Sequence, residues 1–284
     1  MAGRTTERSH TGAGTPTSGS AGTAKASAAD RVRQAAVLLA AVVCILGGVL
    51  GSGVWIGEPV AEAAGGALSA DATFLAPAGA AFSVWSVIYA ALVVFTVWHT
   101  LPGRAADALA RTVGWWAAAS MVLNAVWLLS IQTSYLWLSI LVILGLALVL
   151  GLLLVRANGV EGAGAGPVVV GVTFGLYLGW TSVATCANVA AVLVDAGVDP
   201  GRRVGELVGV GVLAVVCLLV WLLATRVGVA RWAVVATVVW GLAWIAVGRL
   251  GDEPESLVVG VAAVVAAGAS VLLTALASRT VRRS

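Results

Sequence analysis

The sequence predicts an all-α integral membrane protein, a bundle of about eight transmembrane helices. Three observations carry that expectation. Of 284 residues, 60% are hydrophobic and 10% charged, with a mean hydropathy of +1.02; so little polar surface cannot cover a water-soluble fold. The apolar residues gather into eight runs, each near the ~20 residues that a helix needs to cross a bilayer. With the N-terminus inside, 13 of the 16 Lys and Arg residues fall in cytoplasmic segments and 3 fall outside, namely Arg202, Arg203 and Arg249. Losing any internal helix would invert every later loop and spoil that asymmetry. The expected location is a bacterial cytoplasmic membrane, with both termini cytoplasmic.

Taken in order, residues 1–32 are rich in Gly, Ser, Thr and Ala and read as a disordered cytoplasmic tail. The first span is expected at 35–55, where Gly47, Gly48, Gly51 and Gly53 should narrow or bend its outer end. The loop 56–79 follows, with Glu58, Glu62 and Asp71 but no Lys or Arg. Spans two to four are expected at 80–98, 113–131 and 135–155. The fifth lies within 167–194, and three more at 204–224, 231–248 and 256–277 close the chain.

The fifth span carries the most information. Gly171, Gly175 and Gly179 recur every four residues and stack into one smooth ridge. A second helix should close on that ridge, either within the bundle or across a homodimer. The same span holds Tyr177, Trp180, Thr181, Ser182, Thr185 and Asn188. Such groups at membrane depth either hydrogen-bond neighbouring helices or line a cavity between them.

The chain has twelve tryptophans. Trp55, Trp98, Trp115, Trp116 and Trp232 fall at span ends, where an interfacial aromatic belt accounts for them. Trp85, Trp127, Trp137, Trp180, Trp240 and Trp244 lie deeper, in the middle or outer half, as do Asn124 and Asn188. Buried indole N–H and amide groups need partners in a dry site. Their shared depth points to an aromatic pocket in the outer half, with the acidic loop 56–79 as its lid.

These residues resemble a known family. Pro77-Ala-Gly-Ala-Ala-Phe82-Ser-Val-Trp85-Ser-Val-Ile-Tyr89 is similar to the lead-in to the second helix of the translocator proteins, the TspO/MBR or tryptophan-rich sensory proteins. Leu123-Asn124-Ala-Val-Trp127 is similar to that family's Leu-Asn-x-x-Trp on helix three. Tyr177-Leu-Gly-Trp180-Thr-Ser-Val-Ala-Thr-Cys-Ala-Asn188 is similar to its pattern on helix five. The interval from Phe82 to Trp85 is one residue shorter than the family's, and family members commonly have five helices. The chain thus resembles an extended, divergent member, with a five-helix core over 33–195 and three additional helices over 196–284. The resemblance implies a site for a tetrapyrrole, a sterol or a similar flat apolar molecule. Carried over residue by residue, Trp85, Tyr89, Asn124, Trp127, Tyr177, Trp180 and Asn188 would line it.

Catalysis finds little support. No Asp, Glu, His or Lys is expected deep in a span, so no acid–base or nucleophile–base pair is in view. Cys44, Cys186 and Cys217 lack metal-ligand spacing, and the dispersed basic residues do not suggest nucleic acid. Lys25, the only lysine, is in the tail, which excludes a retinal Schiff base. Ion pumps and proton-coupled carriers usually place carboxylates within the membrane. The expected partners are the bilayer and a small hydrophobic ligand, with no certain cofactor. A receptor or sensor is the first reading, and a secondary transporter of a neutral or hydrophobic solute is the alternative.

Overall fold

The computed structural model describes residues 25–51, 58–133, 135–160, 162 and 164–281. Most of the expected tail, together with Gly53 and Trp55, lies outside the described residues. Among the described residues there are eight helices long and apolar enough to cross a membrane. They are α1 (Ala28–Gly51), α2 (Val84–Thr100), α3 (Ala108–Gln132), α4 (Leu136–Asn158), α5 (Gly166–Asp195), α6 (Gly201–Ala224), α7 (Arg231–Gly251) and α8 (Leu257–Val281). A 3₁₀ turn, Gly79–Ser83, leads into α2.

Helix α1 starts at Ala28, inside the segment expected to be disordered. A capping box accounts for the difference: the Asp30 backbone N–H donates to Ser27 Oγ at 3.2 Å, and the Ser27 N–H donates back to the Asp30 carboxylate at 2.9 Å. Asp30 is 3% exposed and also accepts from Arg33 on its own helix and Arg111 on α3, both at 2.8 Å. Nearby, Gln34 donates to the His99 carbonyl of α2 at 2.8 Å. An ion pair thus ties α1 to α3, and an amide hydrogen bond ties α1 to α2, at the end opposite the 58–79 loop, where the sequence suggested only a flexible lead-in.

The first five helices close into a ring in which α1 packs on α2 and α3, α3 on α4, α4 on α5, and α5 on α2. Helix α7 packs outside this ring on α5, α8 packs on α7, and α6 packs on α8. The glycine ridge of α5 forms the joint. A Cβ on Gly175 would lie 2.7 Å from the Ala233 Cβ and 2.9 Å from the Ala230 carbonyl, and one on Gly179 would overlap the Val234 carbonyl and Thr237 Oγ1. Only glycine lets the two backbones come so close. Thr237 Oγ1 then donates across the joint to the Leu176 carbonyl at 2.8 Å. The ridge is thus filled by α7 of the same chain. Of the two alternatives, closure within the bundle or across a homodimer, this face makes the contact within the bundle.

The glycines of α1 do a related job. A Cβ on Gly48 would lie 2.6 Å from the Tyr89 hydroxyl, and one on Gly47 would lie 3.2 Å from the Ala125 Cβ. They let α2 and α3 approach α1 closely, and Tyr89 fills the space that a larger residue at 48 would occupy.

Candidate functional site

The sheltered ground for chemistry lies at the 58–79 end of the ring. This is where α3 and α5 end, and where α2 begins. The loop folds back over the bundle mouth and is held at both ends. Gln132 at the end of α3 donates to the Glu58 carbonyl at 2.8 Å and accepts from the Glu58 N–H at 3.3 Å. A tight turn at Ala64, Gly65 and Gly66, all with positive φ, then reverses the chain. Ala63 is fully buried there, in a cluster with Trp127, Leu128 and Ile131. Further along, the Ala78 N–H donates to the Trp244 carbonyl of α7 at 3.1 Å. A Ser69 hydroxyl hydrogen bond, with Arg249 nearby, holds the Asp71 carboxyl below its ordinary range.

Beneath the loop is a cavity of about 30 Å³. Val60, Leu68, Thr73, Ala76 and Pro77 of the loop form its roof, and Phe82, Trp85, Trp127, Trp180 and Asn188 form its walls. Ala184, Ala187 and Ala191, one helical turn apart or nearly so on α5, line the wall with little bulk.

Trp85 is the hub of the aromatic wall. It stacks on Trp127 with ring centroids 6.4 Å apart and on Tyr89 at 5.5 Å. It meets the edges of Tyr177 at 5.9 Å and Trp180 at 6.3 Å. Phe82 closes edge-on against Trp180 at 5.8 Å. These are the offset and edge-to-face arrangements that ring quadrupoles favour.

The polar partners divide the two deep indoles. Trp127 donates from Nε1 to Asn188 Oδ1 at 3.1 Å, and Asn188 in turn donates to Ser139 Oγ of α4 at 2.8 Å. This relay fixes the plane of the Trp127 ring from three helices. Trp180 is 1% exposed, yet among the described residues its indole N–H has no hydrogen-bond partner. Thr73, in the roof, likewise has an unpartnered hydroxyl. A buried N–H left unpaired costs about 1–3 kcal/mol, so a vacant donor in the wall of an apolar cavity needs an explanation.

Of the seven residues expected at the site, Trp85, Trp127, Trp180 and Asn188 line the cavity. Tyr89, Asn124 and Tyr177 stand behind the wall. Asn124 is fully buried and donates to the Tyr89 hydroxyl at 3.1 Å and to Cys44 Sγ at 3.3 Å, which makes it a joint between α1, α2 and α3. Tyr177 is fully buried and donates from its hydroxyl to the Ser120 carbonyl at 3.4 Å. The other deep tryptophans separate as well. Trp137 is 59% exposed on the outside of the ring. Trp240 and Trp244 pair edge-to-face at 5.7 Å, and Trp240 donates to the Ala81 carbonyl at 2.9 Å, so both brace the loop stem from α7. The loop 58–79 was expected as a lid, but its individual roof residues, Ser139 and the lining role of the three alanines were not singled out from the sequence. The Ala184–Ala187–Ala191 spacing was the one available signal for them.

Among the described residues no group of His, Cys, Asp and Glu is arranged to hold a metal. The cavity lining carries no ionisable side chain among the described residues. The arrangement is suited to stacking a flat apolar body and to donating one hydrogen bond.

Comparison with curated proteins returned no match, and neither did comparison with solved structures. The model of one family, described as TSPO-like protein, matches residues 34–276. That stretch includes most of α1, the rest of the ring, α6 and α7, and most of α8, so the match extends through the C-terminal helices. The chain is an integral membrane protein that belongs to the TSPO-like protein family.

Proposed function

We propose that the chain is a membrane receptor or sensor that binds a flat hydrophobic ligand, tetrapyrrole- or sterol-like, between Trp85, Trp127 and Trp180 under the 58–79 loop. One observation carries the reading: among the described residues the buried Trp180 indole N–H has no partner, and Trp180 lines an apolar cavity. A ligand with a hydrogen-bond acceptor in its plane would satisfy that donor while stacking on the aromatic wall. The role is binding rather than catalysis. The site faces outward in a bacterial cytoplasmic membrane, with both termini inside, as the distribution of basic residues favours.

A cavity of about 30 Å³ holds only about two water molecules. Ligand sites typically need several hundred cubic ångströms. The helices of the ring are fixed by buried contacts on both sides, whereas the roof belongs to a connecting loop held by a few hydrogen bonds and by short apolar anchors such as Ala63 and Leu75. Binding therefore requires the loop to lift.

The test is a titration of the purified full chain with protoporphyrin IX, haem and a sterol, followed by intrinsic tryptophan fluorescence. Trp180→Leu removes one ring contact and one donor, together about 1–3 kcal/mol, so affinity should fall roughly tenfold. Trp232→Leu, a change at a half-exposed ring on the lipid side, should leave affinity unchanged. If wild type binds none of these ligands, the sensor reading fails. Flux of small neutral solutes into liposomes would then test the transporter alternative.

A further inference from the structure

We infer that Arg249 is the positioning residue of the pocket's lid, a buried guanidinium that straps the loop to α7 so that the C-terminal helices set how readily the site opens. This rests on the reading above that the 58–79 loop gates a ligand site. Arg249 lies in the last turn of α7 and is 0% exposed. One terminal nitrogen donates to the Thr73 carbonyl at 2.9 Å and the Pro254 carbonyl at 3.2 Å. The other donates to the Ala70 carbonyl at 2.6 Å and the Glu253 carbonyl at 3.3 Å. One side chain thus grips two backbone stretches, the second half of the loop and the α7–α8 turn.

The chemistry of the grip is unusual for a residue that only fills space. Among the described residues no carboxylate lies within ion-pair distance of Arg249; its direct partners are carbonyl oxygens, with Asp252, Asp71 and Glu253 attracting it from farther off, and Nε has no partner. A well-packed apolar side chain would be a cheaper filler, so a buried charge of this kind suits a register or switch role. What the guanidinium supplies is a fixed fork of donors that matches several carbonyls at once.

The strap acts directly on the roof, because Thr73 lines the cavity and Ala76 and Pro77 follow it. Two more bonds run from α7 to the stem of the same loop: Trp240 Nε1 to the Ala81 carbonyl at 2.9 Å, and the Ala78 N–H to the Trp244 carbonyl at 3.1 Å. Helix α7 is a firm post for them, since it meets α5 backbone to backbone along the glycine ridge. Lifting the roof must break the Arg249 bonds to Ala70 and Thr73. By reciprocity, whatever props the roof open loosens the grip on the α7–α8 turn. The helices beyond the ring thereby acquire a way to register the state of the pocket.

The experiment is amide hydrogen exchange on the full chain in nanodiscs, without ligand, comparing wild type with Arg249→Met. The informative amides are Ala72 and Ala76, bonded to the Ser69 and Thr73 carbonyls, both at 3.2 Å. Their exchange should quicken roughly tenfold or more, the effect of losing one charge-assisted hydrogen bond from a local opening equilibrium, while amides in the middle of α3 and α5 keep their wild-type rates. Unchanged exchange at these amides overturns the proposal, as does equal acceleration throughout the bundle. If Arg249→Met does not fold, Trp240→Phe, which removes only the side-chain tie to Ala81, replaces it under the same two criteria.

A second arm measures association and dissociation rates of protoporphyrin IX. Both should rise in Arg249→Met, a split that a general loss of stability would not produce. Faster loop exchange in a protein that binds no porphyrin sinks the ligand reading and leaves the strap. Unchanged loop exchange in a variant that still binds porphyrin sinks the strap alone.

Discussion

Trp127 and Trp180 form a matched pair that isolates what an unpartnered donor does. Each is a nearly buried indole in the same wall, at 4% and 1% exposure. Changing either to Phe removes similar ring volume, and that loss alone costs on the order of 1–3 kcal/mol. The N–H groups differ. Trp127→Phe breaks the bond to Asn188 and strands Asn188 Oδ1, which adds about 1–3 kcal/mol. Trp180→Phe removes a donor that is already unpaired, which returns an amount of the same order and offsets the lost volume. Trp127→Phe should therefore be less stable than Trp180→Phe by about 2–6 kcal/mol, a gap of roughly 4 °C or more in thermal midpoint for a chain of this size. Ligand affinity should move the other way for Trp180: a near-neutral change in stability accompanied by a several-fold weaker complex. Midpoints by tryptophan-independent thiol-reactive dye or by circular dichroism, in one detergent, settle the order. Equal losses of stability would mean that the Trp180 N–H has a partner within the protein, and the argument for a vacant donor would collapse.

Other expectations follow from the same geometry. Asn124→Leu strands the Tyr89 hydroxyl and should cost about 1–3 kcal/mol of stability, while porphyrin affinity of the folded fraction stays within twofold of wild type; a large affinity loss at unchanged stability would put Asn124 back in the pocket. Gly179→Leu drives a side chain into the Val234 carbonyl and Thr237 and should lower the melting point or abolish folding, because over-packing at backbone contact costs about 1–3 kcal/mol or more; unchanged melting would contradict the α5–α7 joint. For orientation, Glu62→Cys and Ala108→Cys in a cysteine-free background should react oppositely with an impermeant maleimide in intact cells. Labelling of position 108 from outside would reverse the assigned topology.

The number of helices was readable because a bilayer imposes a length, and because basic residues record which side each loop faces. Boundaries fell within a few residues except at α1, where Ser27 and Asp30 cap the helix inside a stretch whose composition looks like a tail. The glycine ridge announced a close contact but not its partner, since a smooth face fits any small-residue helix; α7 supplies Ala233 and the turn just before it supplies Ala230. Depth was legible and direction was not. Trp85 and Tyr89 share a face by spacing, yet Tyr89 passes behind the wall because Gly48 and Asn124 make room and a hydrogen bond for it. Trp137 turns out of the ring, and Trp240 belongs to α7, outside it. The loop was expected as a lid, but which of its residues face the cavity was not legible, because a loop has no periodicity to read. Arg249 counted as an outer charge because the charge rule weighs position along the chain, whereas burial of this side chain depends on carbonyls contributed from more than 170 residues away, Ala70 and Thr73.

The account's central claim is a location, and photo-crosslinking tests it most directly. A diazirine-bearing sterol and a diazirine-bearing porphyrin would be irradiated with the full chain in nanodiscs, and adducts mapped by mass spectrometry with and without excess unlabelled ligand. The account predicts competable adducts on the roof between Val60 and Pro77 and on α5 between Trp180 and Ala191. Adducts confined to lipid-facing positions such as Leu141, Leu207 or Val265, unaffected by competitor, would contradict it.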